Sequence, residues 1–385
     1  MNLVPQIRLM MVNTLALVFA ISICCDTIGQ DVIDVWIGTA KSALSKGIYH
    51  STLNTTTGKL SEPDLAAEAD GPGFLAMHPG GNKLYAVCAV AGKPSVAAYA
   101  IEKGGKKSTL QFLNSAEVGD GGAAHLSVDA TGRSIVTAQY GGGSVAVFAL
   151  NEDGTLRERT QLIDHQGASQ VVPDRQTASH AHWAGFSPDN RFVFVPDLGL
   201  DKVMIYQFDA AASRLKSNGF GATPPGSGPR HMKFHNNGRF VFVLNEISLS
   251  ITTFEFDRQA GFLTPIDTVP TVPEADKAKE QAISASEIRV HPSGRFVYSA
   301  NRGHDTISAF RVDEQTGKLT LIEREFMRGA TPRNFNIDAT GKWLVVAGQD
   351  SHTLGVFAID QKSGELQWNR SSIIVPSGIC VLLGN

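Results

Sequence analysis

A closed all-β ring, a seven-bladed β-propeller, is the fold class the sequence predicts, and three observations predict it. A unit of about 48 residues recurs along the chain, apolar residues alternate within it at period two, and the two chain ends supply complementary pieces of one incomplete unit. The chain has 385 residues. That exceeds the ~150 residues of an ordinary domain, a limit that closed all-β architectures routinely pass. Composition agrees with a glycine-punctuated globular protein: 38 glycines, 42% hydrophobic residues and 18% charged residues. The charged share lies below the roughly 25% of an average soluble domain. A formal net charge of −3 gives no basic field for nucleic-acid binding, and the apolar content argues against disorder.

The repeat is read first from its turns and second strands. These are HPGGNKLYAV (78–87), DATGRSIVTA (129–138), SPDNRFVFVP (187–196), HNNGRFVFVL (235–244), HPSGRFVYSA (291–300) and DATGKWLVVA (338–347). Third strands follow as SVAAYAI, SVAVFAL, KVMIYQF, SITTFEF, TISAFRV and TLGVFAI, many leading into a Gly-x-Leu turn such as DEQTGKL (313–319). Period-two alternation makes these strands, and no amphipathic helical stretch of useful length interrupts them. The seventh unit is split. The N-terminal side supplies VWIGT (35–39), GIYHSTLN (47–54) and TGKL (57–60), and SGICVLLGN (377–385) supplies the missing innermost strand. Such a split closes the ring and removes exposed sheet edges.

Equivalent third-strand positions Ser51, Tyr99, Phe148, Tyr206, Phe254, Phe310 and Phe357 lie 48, 49, 58, 48, 56 and 47 residues apart. Two insertions, within 166–180 and 269–287, account for the long intervals and enter innermost strands. Insertions in repeat folds gather on the working face.

Residues 1–29 have the layout of a secretory signal: Arg8, an apolar run from about Leu9 to Ile23, then Thr27 and Gly29. A lipid anchor at Cys24 or Cys25 and an uncleaved N-terminal anchor are the alternatives, and each reading places the protein outside the cytoplasm. The propeller domain then covers 30–385. Cys88 and Cys380, far apart and each in an apolar run, read as buried thiols, with no disulfide framework or metal motif.

In a propeller the loops entering each innermost strand and those leaving each second strand share one face. The tight turns lie on the other, so His78, His235 and His291 read as structural. On the entering loops one equivalent position holds Gly73, Ala124, His182, Arg230, Ser286 and Arg333. The leaving loops add Tyr140, Leu198, Glu246, Arg302 and Gln349, preceded by Gln139, Asp197, Asn245 and Asn301. His180, His231, Glu287, His304 and Asp305 are close in sequence to them. Ionisable groups thus concentrate on one rim of a charge-poor chain, where burying them costs stability unless they pair or act. An ion-pair network between blades is the competing reading, and Asp197, Asp201 and Asp305 read as loop-bracing residues rather than reactants. Arginine forks suit a small anionic substrate and can stabilise an oxyanion, while a histidine or glutamate can activate water. No strand–turn–helix serine elbow and no zinc-type cluster is present in the sequence. The residues therefore point to acyl-type hydrolysis or isomerisation of an anionic ester or lactone without a metal or other cofactor. A monomer is the default for a ring without edge strands.

The segments SHAHWAGFSPDNRFVFVPDLGLDKV (179–203), GSGPRHMKFHNNGRFVFVLNE (226–246) and SASEIRVHPSGRFVYSANRGHDTISAF (284–310) resemble the seven-bladed propeller 6-phosphogluconolactonase family, which includes the carboxymuconate-lactonising cyclase type. The resemblance spans essentially all of the chain after the N-terminal segment. It implies a catalytic histidine at His182 or His180, arginines Arg230 and Arg302, and glutamate Glu246. His180, Asp197, His231, Glu287, His304 and Arg333 are the expected substrate-binding residues around them. Family members commonly have proline where this chain has Ser179, which leaves the two histidines open. The implied reaction is hydrolysis of 6-phospho-glucono-1,5-lactone or, for an exported relative, an unphosphorylated aldonolactone. The alternatives are cycloisomerase chemistry on a muconolactone and a non-catalytic propeller that binds a ligand at the same rim.

Overall fold

The computed structural model describes residues 32–384 apart from 105, 106 and 281, together with Met1. The N-terminal signal-like segment lies outside the described residues. Seven antiparallel sheets follow one another around a ring, six of four strands and a closing sheet of five. In each complete blade the chain runs from the innermost strand outward in sequence order. The innermost strands of blades one to six are Asp70–Met77, Ala123–Val128, Gly185–Phe186, Pro229–Phe234, Ser284–Val290 and Pro332–Ile337. In the closing blade this strand is Gly378–Leu383, from the C-terminus, antiparallel to Val32–Thr39. The third strand of that blade, Gly47–Asn54, pairs along its length with two short outer pieces, Lys59–Leu60 and Asp64–Glu68.

Second strands such as Phe192–Asp197 and Phe240–Asn245 are buried at every residue, because both of their faces meet a neighbouring blade. Their aromatic and β-branched content suits that two-sided burial. Seven apolar clusters fill the seven blade interfaces. One joins Phe296, Tyr298 and Ile307 of blade five to Phe335, Leu344 and Phe357 of blade six, and another joins Trp36 and Cys380 of the closing blade to Leu84 and Tyr99 of blade one.

On the turn face three histidines clasp adjacent blades. The Nε2 atoms of His78, His235 and His291 meet the carbonyl oxygens of Gly132, Gly294 and Gly341 at 3.2, 2.8 and 2.8 Å. Both insertions fold onto the opposite face. The second forms a single helical turn, Glu274–Lys277, whose Lys277 Nζ donates to the Ser248 carbonyl at 2.7 Å.

Candidate active site

The innermost strands do more than line the channel, because most of them carry a β-bulge near their entrance. Pairing shifts by one residue at Ala124, Arg230, Arg333 and Ile379, and across Ser286–Glu287. In blade three the Ala181–Asp197 bridge and the Gly185–Phe194 pair bracket an extra residue in the stretch that contains His182. A bulge breaks strict alternation, so two consecutive side chains can face the same side. A cavity of about 180 Å³ is accordingly lined by the consecutive pairs Gly73–Phe74, Arg230–His231 and Arg333–Asn334, together with Ala123, Ala124, His182 and Ile379.

Behind the cavity wall Glu246 gathers guanidinium groups. Its Oε2 accepts from Arg230 Nε at 2.8 Å and lies 3.1 Å from Arg302 Nη2, and its Oε1 accepts from Arg175 Nη2 at 2.6 Å. Arg230 also donates to the Ser286 carbonyl, and Arg302 Nη2 donates to that of Ala285 at 3.1 Å. Burial pushes the Glu246 carboxyl up, but Arg302 and Arg230 outweigh it and hold the group well below the usual carboxylate range. Burial, then the nearby Arg302, lowers Arg230 to about 9, which leaves it cationic at neutral pH. Arg333 differs from the other three arginines. Its guanidinium lines the cavity and makes neither hydrogen bond nor ion pair among the described residues.

His182 faces the same cavity. Burial, then Arg230, holds its imidazole well below its ordinary value, and its buried Nδ1 has no hydrogen-bond partner. The floor is a set of rings: His182 and His231 lie 5.3 Å apart, His231 and His125 5.6 Å, His125 and Phe74 4.1 Å, and His125 and Trp183 5.2 Å between centroids. Glu287, fully buried below the cavity, braces this floor. It meets His231 Nδ1 at 3.1 Å and accepts from Asn334 Nδ2 and the Ile288 amide.

The expected site residues therefore divide. His182, Arg230, His231 and Arg333 line the cavity, whereas Glu246, Arg302 and Glu287 support it from behind. Three expected binding residues are engaged elsewhere. The His180 ring stacks on Tyr140 at 4.7 Å and its Nδ1 meets the Tyr140 carbonyl at 2.9 Å, so His182 is the histidine of this segment that faces the cavity. Asp197 accepts the amides of His180, Gly199 and Leu200 and meets His165 Nδ1 at 2.6 Å, which makes it a loop brace. His304 bonds Thr306 Oγ1 through Nδ1 at 2.7 Å, and its Nε2 is 4.0 Å from Asp276 of the second insertion. Sequence reasoning missed Arg175, although it sits in the first insertion, whose placement on this face was the available signal. Among the described residues no group of three or more His, Cys, Asp or Glu side chains is placed to hold a metal ion.

Fold and site together define a closed seven-bladed propeller whose channel mouth brings arginines and a histidine held neutral by burial to one small cavity. Residues 34–383 match the model of the family described as lactonase, 7-bladed beta-propeller. The 6-phosphogluconolactonase of Bacillus subtilis is 35% identical over 346 residues, covering 90% of this chain and 97% of its own. That of Formosa agariphila is 29% identical over 340 residues, covering 86% and 93%. The solved structure of the periplasmic gluconolactonase of Pseudomonas aeruginosa superposes with a TM-score of 0.85 at 29% identity, covering 92% of this chain and 99% of that one. The chain belongs to the seven-bladed β-propeller lactonase family.

Proposed function

We infer that the protein is a lactonase that hydrolyses a sugar-acid lactone to the open-chain acid at the Arg230–Arg333–His182 cavity. One observation carries this reading: an arginine without a partner, Arg333, and a histidine held neutral by burial line one small cavity. An uncharged imidazole can accept a proton from water, and a guanidinium without a carboxylate can receive a substrate anion or a developing oxyanion. Glu246 is a poor base, because three arginines stabilise its charged form. Its role is to hold Arg230 in place.

In the proposed reaction His182 takes a proton from water as the oxygen attacks the lactone carbonyl. Arg230 and Arg333 stabilise the oxyanion. The ring C–O bond then breaks, and the imidazolium returns its proton to the departing alkoxide, leaving a carboxylic acid that ionises. Names of the relatives favour 6-phospho-glucono-1,5-lactone or an unphosphorylated gluconolactone. The signal-like N-terminal segment and the periplasmic neighbour favour export and so the unphosphorylated substrate.

Acid release measured by pH-stat on glucono-1,5-lactone, its 6-phospho form and a muconolactone tests the reading. Turnover of a gluconolactone above the spontaneous rate is expected. Turnover of the muconolactone alone would reassign the chemistry, and turnover of none would leave a ligand-binding propeller.

A further inference from the structure

Below the ring of His125, His231, Phe74 and Trp183 the channel opens again, into a second cavity of about 320 Å³ on the turn-bearing face. Three residues C-terminal to Arg230, Ser286 and Arg333 on their strands, Lys233, Arg289 and Asn336 reach this lower mouth. No Asp or Glu is among its lining residues. Arg289 is partly satisfied, its Nε donating to the Phe335 carbonyl at 3.1 Å and its Nη2 lying 3.4 Å from Glu287. Lys233 is not. Its Nζ sits 5.0 Å over the Trp183 ring and makes neither hydrogen bond nor ion pair among the described residues. The buried Nε1–H of Trp183 also lacks a partner. A half-buried ammonium facing a cavity without a carboxylate is costly, and its donors are free for a ligand.

We propose that this lower mouth is a second ligand site, which takes a small carboxylate or phosphate anion on Lys233 and Arg289 against the Trp183 wall. The site is distinct from the lactone cavity above it, because the aromatic and histidine rings lie between the two. The proposal stands independently of the lactonase reading.

Protons report on occupancy. Burial, then Arg289, lowers the Lys233 ammonium to about 7, with Glu287 and Cys380 acting the other way. His125 and His231 also face it across the channel, both held neutral by burial. A bound anion favours the charged amine, so binding at about pH 8 takes up a proton.

The test is isothermal titration of the full-length protein at about pH 8 with inorganic phosphate and with malonate, in two buffers of different ionisation enthalpy. Wild type and Arg333→Ala, which removes the free cation of the upper cavity, should both bind a probe with proton uptake. Lys233→Met should weaken that binding about tenfold or more and abolish the uptake, as loss of a partly desolvated charge contact does. Without a probe its melting temperature should equal or exceed that of wild type. Binding of phosphate alone or malonate alone would support the site and narrow its ligand. Failure of both probes to bind wild type, or unchanged binding by Lys233→Met, would overturn it. Lys233→Gln is the second variant. If both variants fail to fold, the lysine is structural and the proposal falls.

Discussion

Glu246 pairs with three guanidinium groups, and that geometry decides what each partner can do. Removing the carboxylate leaves Arg175, Arg230 and Arg302 to repel one another in a buried setting. Glu246→Ala is therefore expected to lower stability by about 3–5 kcal/mol, the usual cost of orphaning a buried charge partner. Urea unfolding would check this, and a loss below about 1 kcal/mol, typical of an exposed ion pair, would contradict it. Arg175 reaches Glu246 from the first insertion and is the most exposed of the three. Arg175→Ala should cost about tenfold in kcat/KM with little change in melting temperature, because Arg230 keeps its second contact to Ser286. The histidine makes a separate prediction. His182 must be neutral to take a proton, and burial keeps it so well below its ordinary value of 6.5. Plotted against pH, kcat/KM should thus stay flat from about 8 down through 6.5 and fall only at lower pH. A limb centred near 6.5 would show a solvated histidine at work instead.

At the scale of single elements, the turn-face clasps explain why histidine recurs where a simple turn needs only Gly and Pro. The His291 ring bonds the Gly341 carbonyl through Nε2 and Ser293 Oγ through Nδ1, and so ties blade five to blade six. Gly341 sits at φ +73°, where a Cβ would come within 2.4 Å of His291 Nε2. Gly341→Ala therefore brings both backbone strain and a clash. It should destabilise by about 1–3 kcal/mol, measurable as a lower melting temperature, whereas an unchanged melting temperature would remove the clasp from the account. The bulges act at the same scale. They were not legible in the sequence, because they depend on which backbone amide meets which carbonyl and leave no residue signature. Their effect, placing His231 beside Arg230 in the cavity wall, could not be read from alternation alone. The second and third strands were legible because short apolar runs that alternate larger with smaller or polar residues, bounded by Gly-bearing turns, mark strands whatever lies on their two faces. That pattern did not find Asp64–Glu68, a short outer piece held by pairing to Gly47–Asn54.

At the scale of the whole ring, closure and the channel govern behaviour. The C-terminal strand was legible because the N-terminal unit lacked an innermost partner, and its pairing with Val32–Thr39 follows from that count. Arg175 was legible only as part of an insertion on the working face, because its partner lies in another blade, and Lys233 was not legible, since it lies on the face assigned to turns. Three buried histidines, His125, His182 and His231, are all held neutral in the folded ring. An unfolded chain protonates them from about pH 6.5 downward, while the folded one resists until lower pH. Their contribution is therefore present above that pH and is lost below it, by up to ~1.4 kcal/mol per pH unit for each histidine. The urea midpoint should be clearly lower near pH 5.5 than near 7.5, and equal midpoints would show that these rings titrate freely.

In the proposed reaction Arg230 and His182, facing one cavity, carry the hydrolysis of the lactone. The most direct test is the initial rate of acid release from glucono-1,5-lactone by Arg230→Ala and His182→Gln, each first shown to melt cooperatively like wild type. In each variant kcat should fall by about a hundredfold or more, the usual cost of removing an oxyanion donor or a general base. Wild-type turnover in either folded variant would contradict these roles.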